Sequence, residues 1–495
     1  MIFSSPRFFL FLATLLLLMA LLGSDRREFK KRLLGVASCL FYAAWDWRYL
    51  GLLLTISVVD YVAAAKISVA SDRRIRRAWL LLSIVSNLSI LGYFKYCNFF
   101  INNLNGVGHL FGWHITPLHI LLPAGISFYT FKTMSYTIDV YRGGLKTCRS
   151  WLDYTTFITF FPELIAGPIV RGSVFLPQMD REIGPTQERM KIGLSIFLIG
   201  LTKKVLIADR LAGIADPIFN DPGIYSALSI WFGVFAYSIQ IYCDFSGYSD
   251  MAIGTAKMIG YDLPENFRMP YISANITEFW RRWHITLSSW LRDYLYVPLG
   301  GNRLGTQRTY INLMLTMLLG GLWHGASWNF VLWGGLHGSA LAVHKWVLSY
   351  RKSCRIPVIH PIIGVGATFL FVSLAWVPFR ARSFGDTLLM FKTMMGLSNG
   401  NGATWIPEAL FWCLPPVLIG HLVGVMIEKD VVKIVNIFRY CLNLCGLNIN
   451  NDTISGYYVV WNRATTLGIY LLSLWIFVLF FFASTNTSPF IYFQF

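Results

Sequence analysis

Apolar residues in this chain come in long runs separated by short, basic stretches. The runs lie near 8–23, 33–45, 49–68, 78–95, 151–169, 191–207, 224–243, 309–323, 328–346, 361–379, 405–427 and 465–484. A helix needs about 20 apolar residues to cross the hydrocarbon of a bilayer, so the pattern predicts roughly eleven spans. Two segments break it. Residues 118–133 carry Pro123 and Gly125 and predict a re-entrant or buried element, because irregular backbone at membrane depth survives only inside protein or beside water. Residues 162–171, PELIAGPIVR, interrupt a span with two prolines and a glycine. The expected fold is an all-α polytopic membrane protein, with residues 1–495 forming one membrane-embedded domain.

Composition agrees. The chain is 55% hydrophobic and 14% charged, where soluble proteins carry about 25% charged residues. Its net charge of +17 would point to nucleic acid in a soluble protein. Here the basic residues fall in the short loops, the pattern of cytoplasmic loops, and nucleic acid is not an expected partner. DRREFKKR (25–32) and DRRIRR (72–77) share a side if 33–68 crosses twice. That side is predicted to be cytoplasmic, with the N-terminus outside. The N-terminal apolar run resembles a signal peptide but lacks a small-residue cleavage site, so it reads as an uncleaved first span. Eight cysteines show no CxxC and read as small packing residues rather than metal ligands.

Candidate chemistry lies where charge is scarce. From Asn312 to His344 there is no Asp, Glu, Lys or Arg, yet GLWHG places His324 there. A titratable ring in so apolar a run marks a functional site by default. FWRRWH supplies a second, His284. Asn275 and Glu278 form the pattern of a capping box, so one amphipathic helix is predicted over 275–296. Phe279, Trp280, Trp283, Leu287, Trp290, Leu291 and Tyr294 share its apolar arc; Arg281, Arg282, Ser288, Ser289, Arg292 and Asp293 share the polar one. Such a helix suits the interface, and its arginines suit lipid headgroups or the phosphates of a donor. Asp244, Trp280, Arg281, Arg282, Arg292 and Asn329 are the candidate substrate contacts. Asp244 and Asp250 flank Gly247 near a membrane boundary; helix capping accounts for Asp250 equally well. The six glycines at 320–338 predict close helix packing.

The chemistry that fits two such histidines is acyl transfer to a hydroxyl. An alcohol attacks well only as a base removes its proton, and a neutral imidazole is that base near pH 7. His324 is the expected general base. His284 would orient it, polarise the donor carbonyl or stabilise developing charge. HExxH, GxSxG and Walker motifs are absent, and no metal site is expected. A transporter that relays protons through these histidines is the rival class, although no internal repeat is visible.

FWRRWHITLSSWLRDYLYVPLGGNR and GLWHGASWNFVLWGGLHG resemble the two signature blocks of the membrane-bound O-acyltransferase (MBOAT) family. PELIAGPIVR, YCDFSGYSDMAIG, NFRMPY and the ending FIYFQF resemble its bacterial branch that acetylates polysaccharides such as alginate. The resemblance implies helices around a central funnel, with His324 at the narrow point and His284 as its partner. It implies an acetyl group from a cytoplasmic donor, acetyl-CoA, with no bound cofactor. The acetyl group would cross a bacterial inner membrane to an exported polysaccharide, helped by a periplasmic SGNH-type protein. Peptidoglycan O-acetylation and D-alanyl transfer to teichoic acid are the neighbouring activities.

Overall fold

A computed structural model describes residues 3–23, 26–181, 184–354, 360–397, 402–428, 447–450, 458–461, 466–481 and 490–491. Helices dominate: α1 (Pro6–Leu21), α2 (Arg27–Val69), α3 (Arg73–Leu91), α4 (Cys97–Gly108), α5 (Ile126–Arg142), α6 (Trp151–Thr159), α7 (Gly172–Phe175), α8 (Gln187–Thr202) and α9 (Asp209–Asn220). They continue as α10 (Ala227–Ile259), α11 (Ile276–Arg282), α12 (Ile285–Leu291), α13 (Thr306–His324), α14 (Trp328–Cys354), α15 (Pro361–Arg380), α16 (Phe384–Met394), α17 (Glu408–Glu428) and α18 (Thr466–Phe481). A small antiparallel ribbon pairs Leu447–Asn450 with Tyr458–Trp461. Two compact units form: Met1–Phe197 with Ser249–Pro264, and Leu198–Tyr248 with Glu265–Phe495.

Among the described residues, five helices are long and apolar enough to cross a membrane: Arg27–Val69, Arg73–Phe111, Ala227–Ile259, Pro361–Arg380 and Glu408–Met426. The other predicted runs, apart from 151–169, fall in helices that are shorter or less apolar. The runs 33–45 and 49–68 join in α2, whose 43 residues are divided by extended backbone at Asp46 (φ −158°, ψ 112°).

In the first unit, side-chain caps set several helix starts. The Ser5 hydroxyl accepts from Phe8 N (3.3 Å), Asp72 from Arg74 N (2.7 Å) and Ser150 from Asp153 N (3.2 Å), each satisfying an N–H the helix leaves open. An aromatic cluster of Phe3, Phe8, Phe41 and Phe161 fills the interior. The span expected at 151–169 does not form. α6 stops at Thr159, and the buried backbone that follows is irregular. Pro162 and Pro168 cannot donate to a continuing helix. The Lys132 ammonium takes up the Phe157 carbonyl left open by this ending and pairs with the Glu163 carboxylate. The segment 118–133 matches the buried-element reading in its second half only: residues 126–133 are buried, while Leu118 and Leu121 are exposed. Gly125, at φ 72°, starts α5, which is buried almost throughout its first three turns. A Cβ at Gly125 would strike the Leu164 carbonyl.

In the second unit, the glycines of α13 and α14 let two backbones meet. A Cβ at Gly321 would strike the Phe330 carbonyl, and one at Gly334 the Met317 carbonyl. Trp283, Trp333 and Trp376, each 1% exposed, form the centre of this unit's core with Phe279 and Phe379.

Candidate active site

The predicted helix over 275–296 starts where expected, with Asn275 Oδ1 accepting from Glu278 N (2.9 Å). The Glu278 carboxylate reaches Ala274 N (3.0 Å) rather than the cap residue itself. The helix is then broken. α11 ends at Arg282, and His284 takes a left-handed conformation (φ 42°, ψ 56°) before α12 begins. A non-glycine residue there is strained, and such strain persists only when the surroundings hold it. Asn266, eighteen residues upstream (284 − 266), does so. Its carbonyl accepts from Ile285 N (2.9 Å), while its side chain meets His284 Nδ1 (3.0 Å), Thr286 Oγ1 (2.9 Å) and Thr286 N (3.3 Å).

These contacts fix the histidine's chemistry. The Thr286 N–H can only donate, so the Asn266 atom it meets is the amide oxygen. An amide oxygen only accepts, so His284 Nδ1 carries the hydrogen. Nε2 is left as the lone-pair nitrogen of a neutral ring. Burial pushes the imidazole down to about 3, because the charged form is poorly solvated there. In this form Nε2 accepts a hydrogen bond and has no hydrogen to donate to a carbonyl oxygen or a developing oxyanion.

His324 is the last residue of α13, 5% exposed. Trp323 and Trp333 stand edge-on to it, each with ring centres 5.0 Å away, and Phe379 lies at 5.2 Å. Trp323 also contacts His284 (6.2 Å). One indole thus touches both histidines, and Phe245 closes on the far side of His284 (4.7 Å). Sequence reasoning missed Asn266, Trp323 and Phe245. The only signal for Asn266 was its place in NFRMPY. A third histidine, His337 on α14, is fully buried among Trp280, Trp333 and Phe371. Its two ring nitrogens have no hydrogen-bond partner among the described residues.

The remaining candidates separate into two groups. Trp280, Arg281 and Arg292 line one cavity beside α11 and α12. Asp244, Asn329 and Arg282 are engaged within the protein. Asp244 pairs with Lys204 (2.6 Å), which also meets Asp209 (2.9 Å), and accepts from Ile491 N (2.8 Å). That bond seats Ile491, with Phe490 stacked on Tyr248 (4.5 Å). Asn329 donates to the Ala381 carbonyl (3.0 Å) and accepts from Thr387 (3.3 Å). Arg282 pairs with Glu278 (3.0 Å). Among the described residues, no group of three His, Cys, Asp or Glu side chains is placed to hold a metal ion.

The family model described as MBOAT, membrane-bound O-acyltransferase family, matches residues 145–375, a stretch that contains both histidine blocks. The chain is 46% identical over 406 residues to the probable alginate O-acetylase AlgI of Azotobacter vinelandii, covering 81% of this chain and 79% of that protein. Against the Pseudomonas putida protein of the same name it is 40% identical over the full length of both. Against the peptidoglycan O-acetyltransferase of Helicobacter pylori it is 41% identical, covering 75% of each.

Proposed function

Because the chain belongs to the membrane-bound O-acyltransferase family, we propose that it passes an acetyl group from acetyl-CoA in the cytoplasm to hydroxyls of an exported polysaccharide of the alginate class. It is a multi-pass membrane protein and an O-acyltransferase. The bacterial inner membrane is its proposed location, and a periplasmic SGNH-type protein its proposed partner at the acceptor end. The observation that carries the reading is the pair of histidines, drawn from two separate sequence blocks and buried on one indole, Trp323.

In the proposed step, His324 takes the hydroxyl proton as the oxygen attacks the thioester carbonyl. The C–O bond forms, the C–S bond breaks, and the thiolate leaves and receives the proton. His284, with Nδ1–H committed to Asn266, presents only an acceptor nitrogen. Its role is to position the acceptor by taking a hydrogen bond from a neighbouring hydroxyl of the sugar, while His324 alone takes the proton of the attacking one. The aromatic walls around His324 exclude water, which would otherwise hydrolyse the donor. The Helicobacter pylori relative favours a second reading, in which the same chemistry serves peptidoglycan.

The test is acetyl release from radiolabelled acetyl-CoA by purified protein and by His324→Ala, alone and reconstituted with its periplasmic partner. Release by the wild type that falls at least 100-fold in the variant is expected. Equal release by both would remove His324 from the chemistry. Release by neither, even with the partner present, would overturn acetyl-CoA as donor.

A further inference from the structure

A cavity of about 580 Å³ opens on the second unit, lined by α11, α12, the Arg292–Tyr296 turn, α13 and α14. Its floor is apolar, formed by Ile285, Leu291, Leu313, Met317 and Leu341. Its rim is cationic, with Arg281, Arg292 and Lys345. Arg292 is already neutralised by Asp293 (2.7 Å). Arg281 and Lys345 form no ion pair among the described residues, so the rim carries an excess of about two positive charges.

The apolar floor does not end at the cavity. Leu348, one of its walls, is 43% exposed, so the apolar lining reaches the protein surface. The surface therefore offers two cations at a cavity whose apolar lining continues to the outside. A water-soluble phosphate ester gains from the cations and nothing from the groove. A phospholipid with a charged head gains from both, since basic residues at a membrane surface attract anionic headgroups and buried methylenes add apolar contact.

We propose that this cavity binds an anionic phospholipid, its phosphate between Arg281 and Lys345 and one acyl chain along Leu313, Leu341 and Leu348. The lipid would also brace the site. Trp280 lines the cavity and contacts Trp333 (5.8 Å) and His337 (5.1 Å). It sits on α11, the helix that delivers His284. Occupancy of the cavity thus holds α11 in place, making Arg281 and Lys345 positioning residues. The binding claim stands without the acetyl-transfer reading; the effect on catalysis rests on it.

The experiment is native mass spectrometry of the full-length, delipidated protein titrated with phosphatidylglycerol or phosphatidylcholine. Phosphatidylglycerol is expected to be retained at least tenfold better. The Arg281→Gln/Lys345→Gln variant should retain both lipids equally. Leu341→Trp, which fills the groove and leaves the cations, should also release phosphatidylglycerol. Coenzyme A and inorganic phosphate in excess should displace none of it. Equal retention of the two lipids by the wild type, or unchanged phosphatidylglycerol retention in both variants, would overturn the proposal. Displacement by coenzyme A would assign the rim to the acyl donor instead, and displacement by inorganic phosphate to a simple anion site.

Discussion

His284 carries more of the site's logic than its place in FWRRWH conveys. The two histidines were legible in the sequence because titratable rings are rare in apolar surroundings. The acceptor that sets the His284 tautomer was not, because Asn266 is one polar residue among several in a loop, and only the folded chain brings it to Nδ1. Asn266→Ala should therefore free the ring, leave Ile285 N its carbonyl partner, and lower kcat for acetyl transfer by roughly 100-fold with little change in KM. Asn266→Asp tests the same contact through pH. The wild-type ring, held at about 3, is neutral across the working range. Its folded value lies below the ordinary 6.5, so the unfolded chain takes the proton first. The stability this site contributes is full above about pH 6.5 and lost as pH falls toward about 3. A carboxylate against Nδ1–H favours the charged ring. The aspartate variant should then gain an acid limb in its rate profile at higher pH than the wild type, read from kcat against pH. An unchanged limb would mean that His284 does not act as a neutral acceptor.

At the scale of elements, the amphipathic pattern over 275–296 identified most of the buried arc. Phe279, Trp283, Leu287, Trp290 and Leu291 are buried, while Trp280 and Tyr294 are half-buried. It did not reveal the break, because the apolar spacing of the sequence carries on through Trp283 and His284, whose extended and left-handed backbones interrupt the helix, and the bonds that hold the break come from a distant loop. The glycines of α13 and α14 were easier to read. Small residues in an apolar stretch have close backbone approach as their main use, and the hairpin shows it. A Cβ at Gly334 would strike the Met317 carbonyl and lie 3.0 Å from Leu318 Cα. Backbone gives way less readily than side chains. Gly334→Ala should wedge the hairpin apart at a cost of about 1–3 kcal/mol, seen as a lower Tm in detergent. Because His324 ends α13, activity should fall further than stability. Gly366→Ala, with nothing near its Cβ on α15, is the control that should leave both close to wild type.

At the scale of the whole molecule, the apolar runs predicted a helical membrane protein, and the family bears that out. The number of crossings was harder to read. Length alone does not separate a helix that crosses from one that is buried in protein, as the segment at 151–169 shows: its apolar residues line an interior turn held by Lys132 and Glu163. α2 makes the opposite point. Its 43 residues would measure about 65 Å as one rod, twice the thickness of the hydrocarbon core. With extended backbone at Asp46, it can cross as two arms. Basic loops at 25–32 and 72–77 would then face the cytoplasm, with the turn at 46–48 outside. Cysteines placed at Arg26, Trp47 and Arg74, all exposed, distinguish this arrangement in an otherwise cysteine-free protein. A membrane-impermeant maleimide added to spheroplasts should label Trp47→Cys and leave Arg26→Cys and Arg74→Cys unlabelled until the cells are opened. Labelling of Arg26→Cys and Trp47→Cys alike would mean that the first arm does not cross. Arg74→Cys labelled with Trp47→Cys would assign the same failure to the second.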